Sequence, residues 1–398
     1  MMLTVRLALR DLFFAKTYLI CNVAVLAGVL VPLMVLFGVK NGVYDALVGQ
    51  LLSNPRNLQI DTAGNASFSK ADAETARQFE GAGFVTLKTR SQFDFVNVRL
   101  AGGRQKRDAI LIPSGPGDPN LPQGARLTDG GAAVSAQLAT QLEITSGDFI
   151  DIITQAEDRP RQMLVPLEVT AILPDSGIKG RAVLADIEVL DLVEAFYDAY
   201  ALPEYGITQG KPLSSRTPDF EGLRVYAASL EELAPLQNRI ETAFGIGTEA
   251  RTSEVETVLR LGRNLNLALL LTAAVASLGL AAALIFGFWG EVQRKRHLLA
   301  VLSLMGLGGR WLWLYPVVQA LVCAVIALCV SFSLLSVASW AAEILFDTGL
   351  AAGALVRISG AQIAIIIIAV IGFVVSASMF AARAALRTDP ATVLREGA

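Results

Sequence analysis

The sequence predicts an α-helical membrane protein with four transmembrane helices and a large extracytoplasmic α/β domain inserted between helices 1 and 2. Of its 398 residues, 53% are hydrophobic and only 17% are charged, which is too apolar for a soluble chain of this length. Four uncharged runs each exceed the about 20 residues that a helix needs to cross a bilayer. A polar stretch, residues 41–263, separates the first run from the second.

Residues 1–16 predict an amphipathic helix that lies at the membrane interface. Arg6 and Arg10 stand one helical turn apart, and leucine and phenylalanine side chains occupy the remaining surface. A secretory signal peptide is the alternative, but the apolar run that follows is too long and lacks a typical cleavage site. We therefore expect residues 17–40 to remain as transmembrane helix 1, with a kink at Pro32.

The polar stretch, residues 41–263, predicts one α/β domain with helical stalks. Apolar spacing at its start and end indicates that transmembrane helices 1 and 2 continue beyond the membrane. Loops rich in glycine and proline suggest an inner subdomain, about residues 102–218, inserted into an outer one formed by both flanks.

Alternating hydrophobicity and helical spacing predict the elements of this domain. Strands are expected at residues 93–100, 149–154, 164–173 and 223–227. Helices are expected at residues 70–79, 132–142, 187–200 and 230–244. Ser229 and Glu232 have the spacing of a capping box at the start of the last helix.

Transmembrane helices 2, 3 and 4 are predicted at residues 264–290, 311–342 and 358–382. A basic cytoplasmic segment, residues 291–310, separates the first two, and a basic tail, residues 383–398, follows the last. Lysine and arginine close to span ends collect in the cytoplasm. Both termini are therefore expected in the cytoplasm and the large domain outside it, in a multi-pass membrane protein.

Three small residues, Gly279, Ala283 and Gly287, recur every four positions in transmembrane helix 2. Small side chains let helices approach closely in lipid, where close packing is the main attraction between helices. This face is either a dimer seam or a tight contact within one subunit, and the sequence leaves both interpretations open.

Composition argues against an enzyme, a metal site or a nucleic-acid-binding protein. His297 is the one histidine, and it stands among arginine and lysine on the basic segment, so histidine-based catalysis and structural zinc are unsupported. Cys21, Cys323 and Cys329 fall inside predicted spans, where they fit as small buried residues. No carboxylate, lysine or arginine lies inside any predicted span, which argues against an ion channel or a proton-coupled carrier.

Three stretches resemble a known family. They are the C-terminal residues 382–395, where an alanine-rich basic segment runs into Asp389 and Pro390, residues 293–307 with Gly306, and the Val-Lys-Asn-Gly run at residues 39–42 with residues 47–55. Together with the order of spans, they resemble the FtsX-like or MacB-like permeases of type VII ABC transporters. The layout is most similar to the lipoprotein-releasing LolC and LolE branch.

This resemblance implies a non-catalytic permease subunit for export or release of a lipoprotein, peptide, drug or envelope component. It also implies the bacterial inner membrane as the location, with the large domain in the periplasm. The implied partners are a cytoplasmic ABC ATPase that binds ATP and Mg, a second permease copy or sister permease, and a periplasmic acceptor or adaptor. Besides these partners only membrane lipid is expected, and no cofactor is expected in this chain. A rival interpretation is an ATP-independent membrane sensor or scaffold with a ligand-binding extracytoplasmic domain.

The basic segment is the expected site of ATPase coupling. The candidate residues combine an apolar helical face with a polar rim, and they are Glu291, Arg294, Lys295, Arg296, Leu298, Leu299, Val301, Leu302, Met305 and Gly306. The alternative for this apolar face is that it lies on the membrane surface.

Overall fold

The computed structural model divides the chain into two compact units. One unit, here the helical unit, comprises Met1–Leu47 and Leu261–Ala398, and the other, the α/β unit, comprises Val48–Arg260. The structure describes residues 2–64, 66–122, 124–125, 127, 130–156, 162–174, 177–217, 219–294, 314–345 and 356–385.

The helices and strands of the described residues are numbered in chain order. The α-helices are α1 (Met2–Phe14), α2 (Lys16–Leu52), α3 (Lys70–Arg77), α4 (Ala136–Leu142), α5 (Ile187–Tyr197), α6 (Leu233–Phe244), α7 (Thr252–Arg294), α8 (Leu314–Leu345) and α9 (Gly360–Ala385). The strands are β1 (Gln59–Thr62), β2 (Ala82–Lys88), β3 (Phe95–Leu100), β4 (Arg107–Ser114), β5 (Gly131–Ser135), β6 (Phe149–Thr154), β7 (Met163–Leu173), β8 (Ala182–Asp186), β9 (Gly222–Ala227) and β10 (Thr248–Ala250).

Among the described residues, four helices are long and apolar enough to cross a membrane. They cover Lys16–Leu52, Thr252–Glu291, Leu314–Ala342 and Gly360–Phe380. Each contains or overlaps one of the four spans that the sequence predicts. The predicted spans and these helices share one feature, an uncharged run of more than about 20 residues. Four apolar helices and a sheet-containing unit between the first and second fit a membrane protein with an extramembrane α/β domain.

The core of the helical unit lies between α2, α7, α8 and α9. Leu26, Leu30 and Met34 of α2 are buried in it together with residues from the other three helices. In α7 the buried side chains repeat every four residues, at Leu280, Leu284 and Phe288, which defines one face of the helix. α1 packs on α8, and Ala8 and Leu12 are fully buried there.

The α/β unit contains a four-stranded antiparallel sheet in the order β10-β1-β9-β2. Ile60 of β1 lies opposite Val225 of β9 and Ala250 of β10. Helices α3 and α6 bury their apolar residues on the sheet, with Leu233, Leu236 and Ile240 almost inaccessible. Both chain flanks therefore build this sheet, since β1 and β2 precede β3–β8 and β9 and β10 follow them.

The six central strands close into a barrel in the order β3-β4-β8-β5-β7-β6. The β3–β6 pairing, in which Asn97 lies opposite Ile153, closes it. Alternate residues of β7 point inward, and Met163, Val165, Leu167 and Val169 are buried. The chain enters the barrel after β2 and leaves it before β9.

The expected helix at residues 132–142 is wrong in its first part. Residues 131–135 form β5, and the helix begins only at Ala136, where Ser135 accepts a hydrogen bond from the Leu138 amide as an N-cap. The small residues Ala132 and Ala133 have high helix propensity. They are fully buried between β7 and β8, so barrel packing outweighs local preference.

Candidate functional site

Most of the predicted coupling residues lie outside the described residues, as do His297 and residues 386–398. The candidates concerned are Lys295, Arg296, Leu298, Leu299, Val301, Leu302, Met305 and Gly306. Of the predicted set the structure describes Glu291 and Arg294, at the end of α7. The coupling role of the set stays a prediction.

Glu291 and Arg294 differ sharply in exposure. Glu291 continues the buried face of α7 after Phe288 and is only 7% exposed. Arg294 Nη2 pairs with Glu291 Oε2 at 2.8 Å, while the arginine side chain remains 71% exposed. Arg294 is thus placed for a surface contact, whereas Glu291 makes its contacts inside the helical unit.

Polar contacts fix α1 to the start of α8, just beyond residues 295–313. The Tyr315 hydroxyl donates to the Asp11 carboxylate. Gln319 Nε2 donates to Asp11 Oδ2 at 3.0 Å and to the Ala8 carbonyl at 3.1 Å. Tyr315 and Gln319 are 5% and 2% exposed. The N-terminal helix is therefore anchored to the start of α8, the helix that follows the predicted coupling segment in the chain.

The small-residue face of α7 lies away from the packed face. Gly279 and Ala283 are exposed and Gly287 is half-buried, while the packed face is Leu280, Leu284 and Phe288. A Cβ added at Gly279 would meet no atom within 4 Å. A close contact within the subunit therefore has no support at Gly279, whereas a Cβ added at Gly287 would lie 3.8 Å from Asn22 Oδ1 of α2. Both the dimer seam and the contact within one subunit stay predictions.

Five charged residues form what we call the arginine cluster of the α/β unit: Arg90, Asp191, Glu194, Asp198 and Arg216. The spacing of the three acids places them on or just beyond one face of α5. Arg90 lies in the connection from sheet to barrel and Arg216 in the connection back to β9. Both connections are therefore tied to the same helix.

Arg216 is the centre of this cluster. It pairs with Asp191 at 2.7 Å, Asp198 at 3.1 Å and Glu194 at 3.6 Å, and its side chain is 7% exposed. Arg90 pairs with Glu194 and Asp198. Burial raises the pKa of Glu194, and the two arginines act in the opposite direction. The carboxylate depends on both cations, since its side chain is fully buried.

A second polar cluster joins β9 to the loop after β4. Arg224 donates to the Pro113 carbonyl and to the Tyr226 hydroxyl, both at 2.6 Å. Asn120 Nδ2 donates to the same hydroxyl and to Asp118 Oδ1, both at 2.8 Å. Arg224 and Tyr226 are nearly inaccessible. With the arginine cluster, these bonds fasten the barrel to the sheet at two separate places.

Asp94 is a titratable group close to the arginine cluster. Its Oδ1 accepts a hydrogen bond from the Thr89 hydroxyl at 3.2 Å. Burial raises the pKa of Asp94 to about 7, helped by Glu221 and Glu194 and opposed by Thr89 and Lys88. This carboxyl therefore changes charge near neutral pH.

Two cavities stand out among the described residues. An apolar one of about 380 Å³ lies between α2, α7 and α9 and is lined by residues such as Met34, Phe37 and Ile366. A groove of about 480 Å³ follows β2 from Ala82 to Thr86, opposite the loop at residues 114–116.

Sequence reasoning did not identify the two polar clusters. Asp191, Glu194 and Asp198 have helical spacing, but their arginine partners are distant in the chain or lie in loops. Within the described ranges, no group of three or more histidine, cysteine, aspartate or glutamate residues could hold a metal ion.

No protein-family model matches this chain, and no curated protein matches it. Among solved structures, it is similar to the extracellular domain of the noncanonic ABC-type transporter YknZ from Gram-positive bacteria. The match has 13% identity and a TM-score of 0.30, and it covers 48% of this chain and 97% of that one. A likeness of this size carries no argument about fold or function.

Proposed function

We propose that this chain is the permease subunit of an ABC transporter and transmits motion from a separate cytoplasmic ATPase to the α/β unit. The observation that carries the proposal is the length of two helices. α2 and α7 run unbroken for 37 and 43 residues, well beyond the about 20 that cross a bilayer. Each contains an apolar span and continues into residues of the α/β unit.

In this proposal, ATP closes the partner ATPase and displaces residues 291–310, which directly follow the α7 span. A continuous helix transmits an axial or tilting displacement along its length because backbone hydrogen bonds join its successive turns. Pro32 removes one such bond from α2 without ending the helix. The α/β unit then moves as one body, which the two buried polar clusters favour. The substrate, a lipoprotein, peptide, drug or envelope component, is handled outside the cytoplasm and need not cross the membrane.

Co-purification tests the proposal. The tagged chain is isolated from its native cells in mild detergent, and the eluate is assayed for an ATPase and its activity. The variant Leu299→Asp/Leu302→Asp places two charges on the predicted apolar coupling face. The control Ala300→Asp/Ser303→Asp places the same charges at positions outside that face.

We expect the native chain and the control to bring down an ATPase, and recovery to fall about tenfold or more in the Leu299→Asp/Leu302→Asp variant. Equal loss in the control would contradict the predicted face. If the native chain brings down no ATPase, the permease proposal fails and the ATP-independent sensor becomes the better hypothesis.

A further inference from the structure

The β2 strand lies at one edge of the four-stranded sheet. Among the described strands it pairs with β9 alone, whereas β1 and β9 each have two neighbours. The opposite edge, β10, has three residues, and β2 has seven. An edge strand of this length presents unpaired backbone N–H and C=O groups, which are a template for another extended chain.

The outer edge of β2 is partly covered in this structure. Val85 and Thr86 are buried, and the Val85 carbonyl accepts a hydrogen bond from Arg77 Nε at 3.3 Å. The Arg77 side chain is 54% exposed and pairs with Glu74 at 3.0 Å, also exposed. Exposed pairs of this kind contribute little to stability. The Arg77 side chain therefore covers the edge of β2 only weakly, and its charge disfavours pairing of this edge with another strand.

The groove of about 480 Å³ follows this edge. Its floor is the five consecutive residues from Ala82 to Thr86, and its far wall is formed by Ser114, Gly115 and Pro116 with Asp186 and Ile187. Five strand residues extend about 16 Å, close to an average strand.

Backbone chemistry decides what fits this groove. Val85 turns its side chain into the sheet core, so the edge offers mainly main-chain groups to an occupant. A small-molecule site is usually a concave pocket of apolar side chains. A linear floor of main-chain groups instead recognises a second extended backbone, as in strand addition.

We propose that the outer edge of β2 binds an extended polypeptide segment of a partner protein, which joins the sheet as a fifth strand and displaces Arg77. This inference does not depend on the proposed transport function, because it concerns the α/β unit alone.

The test measures peptide binding to the full chain in detergent micelles. The probe is a fluorescent, acetylated heptapeptide of sequence Lys-Thr-Val-Thr-Val-Thr-Lys, whose alternating residues favour a strand. The matched probe carries N-methyl groups at alternate residues on one edge. N-methylation removes donors without changing a side chain.

We expect saturable binding below roughly 1 mM, slower hydrogen exchange of β2 amides, and at least about tenfold weaker binding of the N-methylated probe. Arg77→Ala should tighten binding several-fold, because it uncovers the Val85 carbonyl. Gly115→Leu should weaken it about tenfold, because a Cβ there already lies 3.7 Å from the Phe84 ring. Gly247→Leu, the control, adds the same side chain where no atom lies within 4 Å and should stay within about twofold.

Each contrary result overturns the proposal. Absence of binding at about 1 mM, or equal binding of the N-methylated probe, would exclude strand addition. Equal losses in Gly115→Leu and Gly247→Leu would exclude this groove as the place. Self-association of the chain without peptide, abolished by Gly115→Leu, would assign the edge to a second copy of the chain instead.

Discussion

Removing Arg216 should destabilise the α/β unit more than any loss of a surface charge. Arg216→Met keeps an unbranched side chain of similar length but removes the cation that contacts Asp191, Glu194 and Asp198. Breaking a buried ion pair from one side costs about 3–5 kcal/mol, because a charge stays buried without its partner. Asp191 and Asp198 are 28% and 29% exposed, so water replaces part of the loss, and Glu194 keeps Arg90 as a partner. We therefore expect the free energy of unfolding to fall by about 3 kcal/mol, the lower end of that range.

Pulse proteolysis of the full chain in urea measures this effect. A unit of this size has a urea dependence of roughly 2–3 kcal/mol per molar, so the midpoint should fall by about 1 M. Arg260→Met is the matched control, since Arg260 pairs with Glu256 four residues away and is 65% exposed. That variant should cost under about 0.5 kcal/mol.

The double variant Arg216→Met/Glu194→Gln tests the cause. Neutralising Glu194 removes the buried charge that Arg216 compensates. The losses in unfolding free energy of the two single variants should therefore be non-additive by at least about 1 kcal/mol. Strict additivity, or a single-variant loss no larger than that of Arg260→Met, would refute the argument that Arg216 compensates a buried carboxylate.

Three further predictions concern pH, the anchoring of α1 and helix packing. The folded-state pKa of Asp94 is raised, so its contribution to stability is fully present below about pH 4 and is lost as pH rises through about 7. Asp94→Asn should flatten this fall in stability, measured by urea titrations from pH 5 to 8. An unchanged pH dependence in the variant would contradict this role of Asp94. Tyr315→Phe removes the donor to Asp11 and should speed hydrogen exchange of α1 about tenfold; unchanged exchange would show that the contact does not hold the helix. Gly262→Val should lower the thermal midpoint, because a Cβ there would overlap the Tyr44 ring. Gly279→Val should leave the fold intact and weaken any dimer, and equal midpoints for the two variants would contradict this packing.

The membrane helices are the part of the fold that the sequence predicts best. Length without charge is a local property, and it identifies a span without knowledge of its neighbours. The same locality explains why the burial of Glu291 is invisible in the sequence. Its exposure depends on which face of α7 meets the other helices.

Helix starts in the α/β unit show how local signals compete. Ser229 accepts a hydrogen bond from the Glu232 amide as its spacing predicts, but α6 begins at Leu233, three residues later than expected. A full capping box instead begins α3, where Ser69 and Asp72 satisfy each other's backbone amides. Spacing identifies a turn with the right hydrogen bonds, and tertiary packing decides where the helix continues.

Closure of the barrel and the arginine cluster lie beyond sequence reasoning for one physical reason. Both depend on pairings between residues far apart in the chain, such as Asn97 with Ile153 and Arg90 with Glu194. Periodicity shows that a strand has a buried face, but it does not show which strand lies beside it.

The most direct test of the account is whether ATP binding at the partner alters the α/β unit. The chain is reconstituted in lipid nanodiscs with the ATPase that it brings down, and hydrogen exchange of residues 48–52 and 252–260 is compared without nucleotide and with ATP and vanadate. We predict a change in both segments that disappears in Leu299→Asp/Leu302→Asp. Identical exchange in the two states, while the ATPase still turns over, would contradict the transmission of motion through α2 and α7.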